Sequence, residues 1–253
     1  MVTNGWLWSP EAIQRSRAAD MHSVCVSLDG MEASHDALRG RTGSFERALT
    51  AIDLLRGPDG PLVMDVVTCA HPDNLDELAA VHDLLVAHRV PAWRLFTIDP
   101  IGRGADPSMQ LNVDQFQRLV RFVGDLRGRS PMKVNFGCGG YLGYDTNRAV
   151  RDADYVCLAG VRVAGVMVNG DILACPNNDR GLAQGNVYRD SIVEVWRDGF
   201  EPFRDRRQTR SAACESCGEW SNCRGNDMHL WDPLRGETRL CHFKEYELEG
   251  FVP

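Results

Sequence analysis

Little in this 253-residue chain would carry it to a membrane or onto nucleic acid. It has no apolar run of the roughly 18 residues that a membrane span needs. Its first residues, Met1-Val2-Thr3-Asn4-Gly5, contain neither a charged leader nor a hydrophobic segment, so no secretory signal is expected and the expected location is the cytoplasm. No basic stripe with interleaved aromatics occurs, and 35 acidic residues against 28 basic ones give a net charge of −7, which disfavours a nucleic-acid partner. The length suits one large domain, or a medium one and a small one, and the apolar content is sufficient for a real core.

Cysteine is plentiful but uneven. Seven of the nine cysteines fall between Cys138 and Cys241. Cys214 and Cys217 are separated by two residues and Cys223 follows after five more, while Cys138, Cys157 and Cys175 precede them and Cys241 closes the set. Two cysteines separated by two residues turn both sulfurs onto one metal from a single tight loop, and later cysteines complete a tetrahedral shell. Disulfides are the rival reading, but cytosolic thiols stay reduced, and such spacing in an intracellular chain points to ligands. Spacing alone leaves a structural zinc site and an iron–sulfur site equally open. Cys25 and Cys69 lie within or at the ends of strand-like runs and read as small buried apolar residues.

The first half alternates helix and strand signals. Ser9-Pro10-Glu11 opens a helix to about Ala19. His22–Leu28 reads as a buried strand, turned out by Asp29-Gly30. Ser44 caps a helix with Phe45, Leu49, Ile52 and Leu55 on one face, stopped by Gly57-Pro58-Asp59-Gly60. Leu62–Thr68 and Ala92–Ile98 are further strands, and Met132–Phe136 is another. Asn74 with Glu77 suggests a capping box ahead of a helix to about His88. Phe116, Leu119, Val120, Val123 and Leu126 form the inner face of one more helix. Such alternation predicts right-handed βαβ units and a parallel sheet whose function lies at the C-terminal strand ends: Asp29-Gly30, Thr68-Cys69 and Asp99–Gly104. Thr3-Asn4-Gly5 looks like the tail of a strand whose body is absent, so the chain reads as entered part-way through, with an open sheet edge.

The second half is of another kind. Valines from Val161 to Val168, then Asn169-Gly170 and Ile172-Leu173, predict a hairpin with both turn residues at positive φ. It sets Cys157 before its first strand and Cys175 after its second, at one end. Ser191 opens a short helix carrying Ile192, Val195 and Trp196. From Ser211 onward the chain is loop-rich, so metal must replace the apolar core it lacks. Glu245-Tyr246-Glu247-Leu248-Glu249 reads as a solvated end, and His229 as packing or surface.

Cys157, Gly170, Cys175, the Cys214/Cys217/Cys223 run and the late Cys241 together resemble the SPASM domain of radical S-adenosylmethionine (SAM) enzymes that modify peptides and proteins. Upstream, Ser27-Leu28-Asp29-Gly30, His35-Asp36 and Arg39-Gly40 are similar to the fourth-strand region of those enzymes. Gly185-Asn186-Val187 with Val195-Trp196 fits the same family, and Cys223–Leu230 is similar to a subset associated with lipoprotein gene neighbourhoods. The resemblance implies an α/β fold: the C-terminal part of a partial (β/α) TIM-type barrel over 1–136, lacking its first strands, followed by a small α+β cysteine-rich domain over 137–253. It implies two auxiliary [4Fe–4S] clusters. Cys214, Cys217, Cys223 and Cys241 would hold one; Cys157 and Cys175, with Cys138 as third ligand, would hold the other. It also implies that Ser27 and Arg39, beside Asp29, approach the methionine carboxylate of SAM, which a guanidinium suits. The backbone around Pro100 and Gly102 would approach the adenine.

Three departures qualify this. The family's C-x3-C-x2-C loop, which binds the SAM-cleaving cluster, is nowhere in the sequence, so the chain alone is expected to be inactive. Where many members have a further cysteine, this chain has Asp227, either a carboxylate ligand or a sign that one iron stays open for substrate. Pro176 follows Cys175 where sulfatase-maturing members carry an aspartate. The expected function is therefore the C-terminal portion of a peptide-modifying radical SAM enzyme acting by a 5′-deoxyadenosyl radical, with a peptide or protein substrate and a possible partner chain or missing N-terminal half. The alternatives are a non-enzymatic peptide-binding module and a zinc-stapled one.

Overall fold

The computed structural model describes residues 1–57, 63–251 and 253. Pro58 to Gly60 of the expected helix stop, and Leu62 at the expected strand start, lie outside these. Five parallel strands form one sheet: β1 (Val2–Thr3), β2 (Ser23–Ser27), β3 (Val63–Ala70), β4 (Ala92–Thr97) and β5 (Lys133–Phe136). Their spatial order is their chain order. Each crossover therefore steps the same way, with no reversal of the kind that splits a doubly wound sheet, which is how part of a (β/α) barrel is built.

Helices α1 (Pro10–Ala18), α2 (Glu32–Arg39), α3 (Ser44–Arg56), α4 (Leu78–Ala87) and α5 (Val113–Leu126) make the crossovers. Val24, Val26, Met64, Val66, Trp93, Leu95, Val134 and Phe136 alternate along the strands and share one core with Ile13, Ile52, Leu85, Phe116 and Leu119 of the helices. The intervening residues occupy the opposite face of the sheet. There Cys25 lies opposite Asp65, and Arg94, whose Nε donates to Asp65, lies opposite Asn135.

Several local expectations need correction. Ser44 is the first residue of α3; Gly43 is its cap, and the Ser44 hydroxyl donates to Asp36 Oδ1 at 2.8 Å. No capping box forms at Asn74 and Glu77. The Asn74 amide instead donates to the carbonyls of Asp29 and Cys69 (2.8 Å to the latter), and the Glu77 carboxylate accepts from the Met31 N–H at 2.9 Å and from the Ser34 hydroxyl. Both side chains thus tie loops at the strand ends together. A capping box does form at Asn112 and Gln115, ahead of α5. Helix α2, only eight residues long, and α6 (Tyr144–Val150) escape the periodicity reading, as do four-residue helices of the second half such as His242–Glu245.

In the second half the hairpin pairs only β6 (Gly165–Val166) with β7 (Asp171–Leu173), and β8 (Gly185–Asn186) adds a third strand. Only Gly170 has positive φ (87°), and its N–H closes a turn onto Met167 O at 2.8 Å, so Asn169 does not share the mirror-image turn conformation. Helix α7 (Ile192–Asp198) begins as expected, with the Ser191 hydroxyl accepting from Glu194 N. A second core joins Ile172, Ala174, Phe200, Phe203 and Met228, with Cys157 and Cys175 packed against it. The expected solvated end is not one: Tyr246 and Leu248 are buried in the first core, and Tyr246 stacks on Phe116 of α5 at 3.8 Å and 3°.

Candidate functional site

At the C-terminal ends of the strands a cleft of about 600 Å³ opens between Trp6, Asp29, Arg39, Cys69, Ile98 and Arg103. Asp29, just past β2, is 1% exposed. One of its carboxylate oxygens accepts from Arg39 Nε (2.6 Å) and Nη2 (2.5 Å), the other from the Cys69 N–H (3.0 Å). Its own N–H donates to His35 Nδ1 at 2.9 Å. Burial keeps His35 below its ordinary pKa, consistent with a neutral acceptor nitrogen. Asp29 therefore fixes the Arg39 guanidinium at the cleft. Ser27 is buried at the end of β2, and Gly102 (φ 58°) lies between the cleft residues Ile101 and Arg103. Cys69 does not sit inside the core as expected: it lines this cleft, where burial and then Asp29 push its thiol up to about 12.

The cysteines of the second half form two groups. Cys214, Cys217, Cys223 and Cys241 all line one small apolar cavity of about 40 Å³, with Tyr141 and Trp220. Burial pushes Cys223 up to about 12, the backbone N–H groups of Asn226 and Gly225 oppose that rise, and Cys241 and Cys214 add to it. Asn226 N reaches Cys223 Sγ at 3.2 Å, and the Ser211 hydroxyl reaches Cys214 Sγ at 3.3 Å. Cys241 is raised by burial and by Cys214 against a backbone N–H from Lys244.

Cys138, Cys157 and Cys175 form the other group. Burial raises all three thiols, and Asp227 raises them further. Cys138 is pushed to about 12 by burial, Asp227, Cys157 and Cys175 against the opposing Arg151. Backbone N–H groups of Met228 and Ala159 hold Cys157 down, and that of Asn177 holds Cys175 down. Asp227 is buried; its oxygens accept from the Gly140 N–H (2.8 Å) and the Tyr155 hydroxyl (2.8 Å). Burial works against its charge, yet His229, those two donors and His242 together hold its carboxyl below the ordinary range. Among the described residues no three or more His, Cys, Asp or Glu side chains converge tightly enough to hold a single metal ion.

Residues that the sequence reading did not place in a site join the two halves. Asp99, at the end of β4, meets His229 Nε2 at 2.8 Å. His229 is therefore buried and paired, and its pKa is raised: burial lowers it, but the Asp99 hydrogen bond and the Asp227 charge outweigh that. His242 is completely buried 4.0 Å from Asp99, and burial depresses its pKa to about 4. Asp99 Oδ1, His242 Nε2, Thr97 Oγ1 and both amide atoms of Asn178 are buried without hydrogen-bond partners. Asp99 lay in a loop already singled out, Asn226 lies within the Cys223–Leu230 stretch, and His242 follows Cys241; nothing in the sequence pointed to Tyr155.

Residues 157–218 match the SPASM family, described as an iron-sulfur cluster-binding domain. The mycofactocin maturase MftC of Mycolicibacterium smegmatis is 35% identical over 241 residues, covering 89% of this chain and 57% of that protein. The AdoMet-dependent heme synthase of Nitratidesulfovibrio vulgaris is 27% identical over 264 residues, covering 96% of this chain and 71% of that protein. Among solved structures, anSMEcpe with bound AdoMet and the Cp18Cys peptide superposes with a TM-score of 0.69 at 13% identity, covering 98% of this chain and 71% of that one. Streptococcus suis SuiB bound to its precursor peptide SuiA gives 0.63 at 16% identity, covering 88% and 53%. These likenesses to solved structures establish the fold. The chain spans somewhat over half of the maturase and about half of SuiB.

Proposed function

Since the chain belongs to the radical SAM/SPASM family, we propose that it supplies the substrate-side barrel strands and the auxiliary iron–sulfur domain of a peptide-modifying radical SAM enzyme. The division proposed is 1–136 for the barrel part and 137–253 for the cluster domain. One observation carries this reading: the two thiol groups each receive backbone N–H groups at their sulfurs. A neutral buried thiol has little need of such donors, whereas thiolates of an iron–sulfur cluster are tuned by them. The thiols that raise one another's pKa are also those an electropositive centre would deprotonate.

In the proposed assignment Cys214, Cys217, Cys223 and Cys241 hold one [4Fe–4S] cluster. Cys138, Cys157, Cys175 and Asp227 hold the other, the carboxylate being oriented by Gly140 N–H and Tyr155. Such clusters supply one-electron centres and a site to anchor or oxidise a substrate. The four cysteines line one common cavity, as a shared centre requires. SAM would lie in the cleft of Asp29 and Arg39, with Ser27 beneath and the Gly102 backbone along its edge. There the fixed guanidinium suits a carboxylate, and the half-buried walls exclude water.

Nowhere in these 253 residues is there a C-x3-C-x2-C motif. Radical generation is therefore proposed for the assembly that includes this motif, and the chain by itself is proposed to bind without cleaving SAM. Anaerobic reconstitution with iron and sulfide tests the cluster assignment. About eight irons per chain are expected, falling to about four in both Cys157→Ser and Cys217→Ser. Stoichiometric zinc with no iron uptake would overturn the reading.

A further inference from the structure

Asn226 is 2% exposed and sits at φ 69°, in the left-handed region that asparagine tolerates better than most residues. Every polar group of this one residue is engaged, and its bonds divide between the two thiol groups. Its N–H donates to Cys223 Sγ at 3.2 Å, and its amide nitrogen donates to the carbonyl of Leu240, the residue before Cys241, at 2.7 Å. Its amide oxygen accepts from the N–H of Tyr141 at 2.8 Å, three residues after Cys138, and from the Tyr155 hydroxyl at 3.4 Å. Its carbonyl accepts from Arg206 Nη2 at 2.8 Å. The next residue is Asp227, whose carboxylate lies with Cys138, Cys157 and Cys175.

We propose that Asn226 is a positioning residue for both iron–sulfur centres at once, fixing the Cys138 loop and Asp227 on one side and Cys223 and Cys241 on the other, so that the two centres respond as one redox unit. The proposal rests on the two-cluster reading. The physical basis is that the potential of a cluster is set by hydrogen bonds to its sulfurs and by the placement of its ligands. A single peptide unit links the amide that bonds Cys223 to the carboxylate of the other group. Tyr155, by contrast, donates to Asp227 at 2.8 Å and reaches Asn226 only at 3.4 Å, so its hydroxyl acts chiefly on the centre of Cys138, Cys157 and Cys175.

The test is an EPR-monitored redox titration of the reconstituted full chain with dithionite as reductant, together with iron analysis. Asn226→Gly keeps the left-handed backbone and the N–H to Cys223 but removes both side-chain arms. It is expected to change both reduction equilibria about tenfold, 59 mV for a one-electron couple. Tyr155→Phe is expected to move the centre held by Cys138, Cys157 and Cys175 more than the other. Asn226→Asp preserves shape and the acceptor for Tyr141, and is expected to move the Cys241 centre most. An Asn226→Gly chain in which only one centre changes, or neither does, overturns the coupling while leaving the two-cluster reading intact. A wild-type chain that takes up no iron overturns both.

Discussion

Replacing Asp29 with asparagine isolates what holds the cleft together. The side chain keeps its shape and can still accept from the Cys69 N–H, but the charge facing Arg39 is gone. Removing one partner of a fully buried ion pair costs about 3–5 kcal/mol. Asp29 is 1% exposed, but the Arg39 side chain is 31% exposed, so water recovers part of the loss at the guanidinium. A net destabilisation of about 2–3 kcal/mol is the discounted figure. For a chain of this size about 2–4 °C is lost per kcal/mol, so the melting midpoint is expected to fall by about 5–10 °C. Circular dichroism melts of the wild type, Asp29→Asn, Arg39→Gln and the double variant close a double-mutant cycle. The two single losses are expected to overlap strongly, with the double variant little worse than Asp29→Asn. Asp29→Asn melting within about 1 °C of wild type, or strictly additive losses, would refute the claim that Asp29 fixes Arg39.

Three further outcomes follow from the geometry around the cysteine loops. Gly140 sits at φ 76°, and a Cβ there would lie 2.0 Å from His242 Nδ1 and 2.7 Å from Asn226 Oδ1. Gly140→Ala is therefore expected to cost about 2 kcal/mol or more in urea unfolding and to weaken iron retention at the Cys138 group before the other. His242 is held near 4 by burial, below its ordinary 6.5. Between these values the unfolded chain binds the proton and the native chain does not. Its contribution is thus intact above pH 6.5 and declines by roughly 1.4 kcal/mol per unit as the pH falls toward 4. Urea titrations at pH 7.5 and 5 are expected to show this loss, and a His242→Asn chain a smaller one. Tyr246→Ala removes a buried ring stacked on Phe116 and is expected to cost about 3 kcal/mol by the same assay; an effect below about 0.5 kcal/mol would mean that the C-terminal segment does not dock on α5.

The order of helices and strands in the first half was legible because strands buried on one face and amphipathic helices write their periods into the sequence, as in His22–Leu28 and Phe116–Leu126. The cysteine spacing likewise marked Cys214 and Cys217 as lining one cavity, since two sulfurs two residues apart can face one centre on local geometry alone. Where the sequence reading failed, a polar side chain had a local partner on offer and a distant one that won. Asn74 and Glu77 had the spacing of a cap but bind the ends of β2 and β3, and Tyr246, flanked by glutamates, buries its ring against a helix 130 residues away in the chain. Spacing alone made the cysteines a count and a pattern, and the family resemblance divided them into two sets. The placement of Asp227 beside Cys138, Cys157 and Cys175, and of Asn226 between the two groups, was decided only by tertiary structure. Hydrogen bonds and burial act through space between segments whose separation along the chain carries no period to read.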